Sequence, residues 1–248
     1  MNYREIPVCG LLSHFIKSFW EFENTESDST FDILPDGVFD LILEPGKGQM
    51  RKVILTGVWT EQMTVAIPRK SRLIGIRFKL IASEYILQRP VSPYLNSQTQ
   101  LPIDFIEVNQ LPTNDLGPFV SAFYDRILPL IVNPEKTDTR KLELFRRLYG
   151  SHGEVSVGQL AQEIHWSARQ INRYFTKQFG LSAKTFADIL KCHSSFPQIA
   201  KGDLYPERKY FDQAHFIRHV KRYTGVSPKV LYHNKNDRFI QFSTLQGR

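Results

Sequence analysis

Two cationic faces on short helical segments carry the chemistry of this sequence. In residues 167–186, SARQINRYFTKQFGLSAKTF, a layout at about 100° per residue puts Arg169, Asn172, Arg173 and Thr176 on one side. Ile171, Tyr174, Phe175 and Phe179 fall on the other. In residues 212–231, DQAHFIRHVKRYTGVSPKVL, Ala214, Ile217, Arg218 and Lys221 oppose Phe216, Val220 and Tyr223. Arginine can bond guanine O6 and N7 together, asparagine can pair with adenine, and Ala or Ile can touch a thymine methyl. Lys177, Lys184, Lys221, Arg222 and Lys229 are the cations expected to meet phosphates, which position a protein on a duplex without reading its bases. This is chemistry suited to the major groove of double-stranded DNA.

Such faces work only if short helices hold them. The two segments align without gaps at an offset of 45 residues, with Arg173/Arg218, Gly180/Gly225, Ser182/Ser227 and Lys184/Lys229 identical. Ser167 and Asp212 stand at N-cap positions, and Gly180 and Gly225 stand where a left-handed residue ends a helix. Ser182 and Ser227 can cap the helices that follow, with Pro228 at a position that tolerates a missing N–H. Upstream, Val157, Leu160, Ala161 and Ile164 form a helical stripe opened by Ser156 and Gln159, a capping box. Ser167 and Gln170 form another across a break at His165–Trp166. Two short helices joined by a tight turn, the second rich in Arg, are a helix-turn-helix. A further stripe, Leu142, Phe145 and Tyr149, precedes them.

DQAHFIRHVKRYTGVSPK closely resembles the motif of the AraC/XylS-type transcriptional regulators, and VGQLAQEIHWSARQINRYFTKQFGLSAKTF resembles their first helix-turn-helix. The resemblance spans about residues 139–233. It implies a seven-helix DNA-binding domain in which two helix-turn-helix units are joined by a long helix, here about 183–195. It also implies base contacts from Arg169, Asn172 and Arg173, and from Gln213, Ala214, Ile217 and Arg218; Gln213 comes from the resemblance alone. Double-stranded DNA is the implied partner, with RNA polymerase and a second copy of the chain as further partners. One stretch departs from the family: CHSSFPQIAKGDLYPERKYFDQ is several residues shorter than usual. Pro197, Gly202 and Pro206 stand where the supporting helix of the second unit belongs, so that helix is expected to be truncated.

Charge divides the chain at the same place. Its 248 residues carry a net +7, but residues 1–134 sum to −3 and residues 135–248 to +10. Asn133-Pro134 marks the expected boundary between a sensor or dimerisation domain, 1–134, and a DNA-binding domain, 135–248. The first hundred residues read as strands: 14–24, 37–43, 52–60, 63–67 and 72–80. Helical character follows at Ala82–Leu87 and over 116–132, where Phe119, Val120, Phe123 and Ile127 suit either a dimer seam or docking on the chain's own sheet. Trp20, LPDGVFDLIL, LTGVWT, GIRFKL and YLNSQTQLP are similar to the sensor domain of one branch of that family. The fold class expected is therefore α+β: a cupin-like antiparallel β-barrel or sandwich with helices, then an all-α domain with two helix-turn-helix units. A small-molecule effector is implied, with Trp20, Phe22, Phe39, Trp59, Arg77 and Phe78 as candidate pocket lining. The same aromatics can equally fill the core.

Enzyme chemistry finds little footing. His215-x-x-x-His219 has metal-site spacing but encloses Phe-Ile-Arg, without a catalytic glutamate. Asp36 sits in a Pro-Gly turn, LPDG, and needs no catalytic role beside Asp40. Glycine-rich phosphate or dinucleotide patterns and a nucleophile elbow are missing, so no cofactor is expected. Two scattered cysteines, Cys9 and Cys192, and the lack of a signal-like or spanning apolar run lead to an expectation of a cytoplasmic protein with no membrane partner. The alternative reading is a ligand-binding or scaffold protein whose degenerate second unit leaves only weak, non-specific DNA binding.

Overall fold

A computed structural model describes residues 2–47, 49–131, 138–205 and 210–233. Its N-terminal half is built from β1 (Asn2–Pro7), β2 (Ile16–Asn24), β3 (Ser29–Ile33), β4 (Val38–Pro45), β5 (Met50–Thr56), β6 (Met63–Ile67), β7 (Ser71–Lys79) and β8 (Gln98–Leu101). Six strands form an antiparallel sheet in the order β1-β2-β7-β4-β5-β8, and β3 pairs with β6 as a separate ribbon. The arrangement is a sandwich of unequal layers.

Side-chain alternation assigns the two faces of the large sheet. Phe19, Leu41, Leu43, Ile74, Ile76 and Phe78 belong to the main core. Helix α1 (Ala82–Tyr85) follows β7, and α2 (Leu116–Ile131) lays Phe119 and Phe123 against Phe19 with ring centroids 6.2 and 5.6 Å apart. The choice left open for α2 is thus resolved toward its own sheet: Phe119, Phe123, Ile127 and Ile131 are buried there. On the opposite face Trp20 and Phe22 pack with Phe31 and Ile67 of the ribbon.

The strands at 2–7, 29–33 and 98–101 escape a reading based on apolar runs. β1 and β8 are the outer strands of the sheet, and their NYREIP and QTQL carry mostly polar side chains. β3 has only Phe31 and Asp32 buried in its short span.

The C-terminal half contains α3 (Thr139–Gly150), α4 (Val157–Glu163), α5 (Ala168–Phe179), α6 (Ala183–His193), α7 (Phe196–Ala200), α8 (Gln213–Thr224) and α9 (Pro228–His233). The expected division at 134/135 lies outside the described residues. The halves are not separate bodies in their packing, because one apolar cluster runs from Phe39 and Phe78 through Phe145 and Phe186 to Phe216. Tyr149 seals the junction: its hydroxyl donates to the Gly37 carbonyl at 2.8 Å and accepts from the Leu80 N–H at 3.1 Å. Gly37, at φ 74°, leaves no room for a side chain, since a Cβ there would stand 2.5 Å from Leu190. None of the described helices is long and apolar enough to cross a membrane.

Gly75, in a central strand, is required by packing. A Cβ there would come within 1.9 Å of the Trp20 indole, whose Nε1 donates to Asp40 at 2.9 Å. Gly75→Ala should therefore displace the indole and cost about 1–3 kcal/mol as overpacking. Urea denaturation checks this: an unchanged midpoint would show that the sheet accommodates the methyl freely.

Candidate nucleic-acid interface

Each of the two outward faces is held from beneath. In α5, Ile171, Phe175 and Phe179 are fully buried. Phe145 of α3 meets Phe175 and Phe179 at centroid distances of 5.7 Å each. In α8, Phe216, Val220 and Tyr223 are buried. The predicted caps form. Ser156/Gln159 and Ser167/Gln170 are complete capping boxes, while Ser182 and Asp212 accept from the backbone N–H three residues on. Gly180 and Gly225 adopt the left-handed conformation, at φ 80° and 72°. The helix starts and stops are thus fixed by local chemistry, and the phase of each helix by its apolar underside.

What remains outward is cationic. Arg169, Arg173, Thr176 and Lys177 of α5 are exposed, as are Gln213, Ala214, Ile217, Arg218, Lys221 and Arg222 of α8. Lys184 and Lys229 are also exposed. An open concavity of about 650 Å³ is lined by Arg169, Asn172, Arg173, Thr176 and Lys177. Several other cations of this half are already neutralised. Arg146 and Arg147 both bond Glu143, holding its carboxyl down at about 2, and Arg140 bonds Asp138. No such carboxylate partner is recorded for Arg169, Arg173, Lys177, Arg218 or Lys221 among the described residues. Unpaired guanidinium and ammonium groups on a convex helix can bind phosphate and base edges directly.

One residue is less exposed than its expected outward face implies. Asn172 is half-buried: its Nδ2 donates to the Ala168 carbonyl at 3.1 Å and its Oδ1 accepts from the Ala183 N–H at 3.2 Å. The amide thus braces α5 to α6 with one N–H and one oxygen lone pair, while Asn172 still lines the concavity beside Arg169 and Arg173. Tyr174 packs on the apolar side as expected, against Phe145 and Phe179, and its hydroxyl donates to Glu84 of α1 at 3.0 Å. The shortened supporting helix takes the expected form, since α7 is only five residues long with Pro197 in its first turn. Pro206 lies outside the described residues.

The histidine pair has other work. His219 Nδ1 shares a hydrogen bond with the Tyr210 hydroxyl at 3.1 Å, and its Nε2 faces Asp188 at 3.9 Å, linking α8 to α6.

The six residues named as pocket lining do not converge. Phe39 and Phe78 stack at 5.5 Å inside the main core. Trp20 and Phe22 lie on the other face of the sheet, and Trp59 is buried in the loop after β5. Opposed positions in the strand register, Phe39 with Phe78 and Asp40 with Arg77, separate them by parity. Arg77 is engaged by Glu5, Asp36 and Asp40 at 3.6, 3.9 and 3.4 Å. Burial works against its charge, but Asp40, Asp36, Tyr3 and Glu5 outweigh burial and hold its pKa above the ordinary value. Asp36 is therefore more than a turn residue; burial raises its pKa against the pull of Lys17 and Arg77. A cavity that does form, of about 290 Å³, lies where the halves meet, lined by His14, Lys79, Ile81, Phe145, Arg146 and Tyr149 among others.

Comparison with known proteins adds a partial match. A family described as a domain of unknown function, DUF6597, matches residues 4–100, less than half of the chain. No curated protein matches. Solved structures with some likeness include ToxT from Vibrio cholerae at 1.65 Å resolution, 11% identical, covering 94% of this chain and 98% of that one with a TM-score of 0.43. ToxT bound to (E)-4-(8-methylnaphthalen-1-yl)but-3-enoic acid is 13% identical, with coverages of 94% and 97% and a TM-score of 0.41. Unsaturated-fatty-acid-bound ToxT is 12% identical, with 93% of each chain covered and a TM-score of 0.38. Similarity at this level says nothing about what this chain binds.

The junction should make stability sensitive to acid. His193, at the end of α6 against Phe196, has its pKa pushed well below the usual histidine value by burial, then by Lys17, Arg77 and His152. The folded protein holds it neutral while the unfolded chain takes a proton near pH 6.5, so this group removes stability as pH falls below about 6.5. His193→Gln should flatten the loss between about pH 6.5 and 5. Thermal melts across that window, with unchanged slopes in the variant, would disprove the assignment.

Proposed function

We propose that this protein is a sequence-specific DNA-binding transcription regulator of the AraC/XylS type, and not an enzyme. One observation carries the reading: two similarly capped helices, α5 and α8, are buried on one side and present Arg169, Arg173 and Arg218 on the other, with no carboxylate partner for them among the described residues. Arg169 and Arg173, with Gln213, Ala214, Ile217 and Arg218, contact base edges; Lys177, Lys184, Lys221, Arg222 and Lys229 contact phosphates. Asn172, which braces α5 to α6 and lines the same concavity, offers its remaining N–H and oxygen lone pair to a base edge. A small-molecule effector, where one acts, binds at the cavity between the halves and alters DNA affinity by favouring one arrangement of them. A second reading rests on the five-residue α7: a ligand-binding or scaffold protein whose second unit is too weakly supported to read bases.

Selection of duplexes from a random library, followed by affinity measurements at several salt concentrations, tests the reading. Arg173→Ala and Arg218→Ala should each cost about 1–3 kcal/mol on the selected site and relax base preference at one position. Lys177→Ala should weaken all duplexes alike and lower the salt slope by about one. Equal affinity for selected and random duplexes would favour the scaffold reading.

A further inference from the structure

Helix α5 is capped by the other half of the protein. The last carbonyls of a helix have no partner within it. Here the Val91 N–H donates to the Gln178 carbonyl at 2.9 Å, and the Ser92 hydroxyl donates to the Lys177 carbonyl at 2.8 Å. Gly180 closes against the same loop, where a Cβ would stand 3.1 Å from the Ser92 carbonyl oxygen and 3.2 Å from Leu95. Helix α8 ends close to the same region, without a hydrogen bond to it among the described residues. A Cβ on its terminal Gly225 would stand 3.2 Å from Gln62 Oε1.

Gln62 and residues 91–97 belong to two loops that meet beside the β5–β8 pairing, where Thr56 opposes Gln98. The loops are knit together. The Gly57 N–H donates to the Ser97 carbonyl at 2.9 Å and the Asn96 N–H to the Val58 carbonyl at 3.0 Å. Asn96 Oδ1 accepts from the Thr60 N–H at 2.7 Å, and its Nδ2 donates to the Thr60 hydroxyl at 2.8 Å. At Gly57 a Cβ would fall 1.8 Å from the Tyr94 carbonyl oxygen, so the two loops are as close as backbone allows.

Both recognition helices thus abut one braced platform at their C-terminal ends. Helix α6, which touches both, is the other connection between them. We propose that the platform sets the separation and angle of the two recognition helices, and so the half-site spacing the protein accepts, with Ser92 and Asn96 as positioning residues. This inference rests on the DNA-binding reading above. One link between two helices leaves a hinge; a second point of close approach, Gly225 against Gln62, restricts it. Adding one base pair between half-sites moves the second by about 3.4 Å along the duplex and roughly 35° around it, more than a fixed pair of helices can follow.

The test uses the full chain and a selected duplex whose spacer is lengthened or shortened by one base pair. The wild-type protein should prefer the selected spacing by about tenfold or more, the scale of a lost base contact. Asn96→Gly keeps the left-handed backbone of Asn96, at φ 52°, while deleting the bracing amide. That variant and Ser92→Ala should lower the preference to about threefold or less while affinity for random duplex stays unchanged. Asn96→Asp retains the oxygen that accepts from Thr60 and should keep most of the preference. A merely destabilised protein would lose affinity for every duplex together, which overturns the positioning role. Wild-type discrimination retained in folded Ser92→Ala and Asn96→Gly also overturns it, and Ser92→Ala decides alone if Asn96→Gly does not fold. Failure of the wild-type protein to select any duplex would instead refute the DNA-binding reading, and this proposal with it.

Discussion

A helix that offers several cations to water has to be gripped by its other side. In α5 that grip is aromatic: Phe175 and Phe179 are clasped by Phe145 and, for Phe175, by Phe186 at 5.5 Å. Each buried phenylalanine contributes about 1.5–3 kcal/mol through apolar burial, and edge-to-face contacts add direction to it. Rotation of α5 about its axis would carry these rings into solvent, so the phase of Arg169 and Arg173 is tied to the core. The same constraint operates in α8 through Phe216 and Val220, with Tyr210 edge-on to Phe216 at 5.0 Å. Everything presented outward depends on these undersides.

Local chemistry made the helical half readable. The Ser/Gln capping boxes, the terminal glycines and the three-to-four-residue apolar spacing all act within one or two turns, and each formed where its residues stand. Asn172 marks the limit of that approach. Its position on the helix wheel is outward, yet its amide reaches back to Ala168 and forward to Ala183. Asparagine's habit of bonding backbone four residues earlier is a local signal that could have flagged it. Tyr174 carries no such signal, because its partner Glu84 lies 90 residues away.

The β-half was less legible because its faces depend on register. Phe39 and Asp40 are neighbours in sequence, but one joins the main core and the other meets Trp20 and Arg77 across the sheet. Composition marks both as interesting and cannot say that they face apart. The outer strands β1 and β8 hide for a related reason: an edge strand is stabilised by one backbone ladder and needs few apolar side chains. The loop that caps α5 is invisible locally, since Ser92 and Lys177 are 85 residues apart.

The hydroxyl of Tyr149, shared between Gly37 and Leu80, has a further implication. It lies within a continuous interior, so melting of either half strips cover from the other and should drag it along in one cooperative transition. A fragment beginning at α3 would start life with that hydroxyl unanswered and the carbonyls of Lys177 and Gln178 open to water. Excision of the helical half by proteolysis or subcloning would thus yield a sticky, fraying remnant rather than a miniature of the whole.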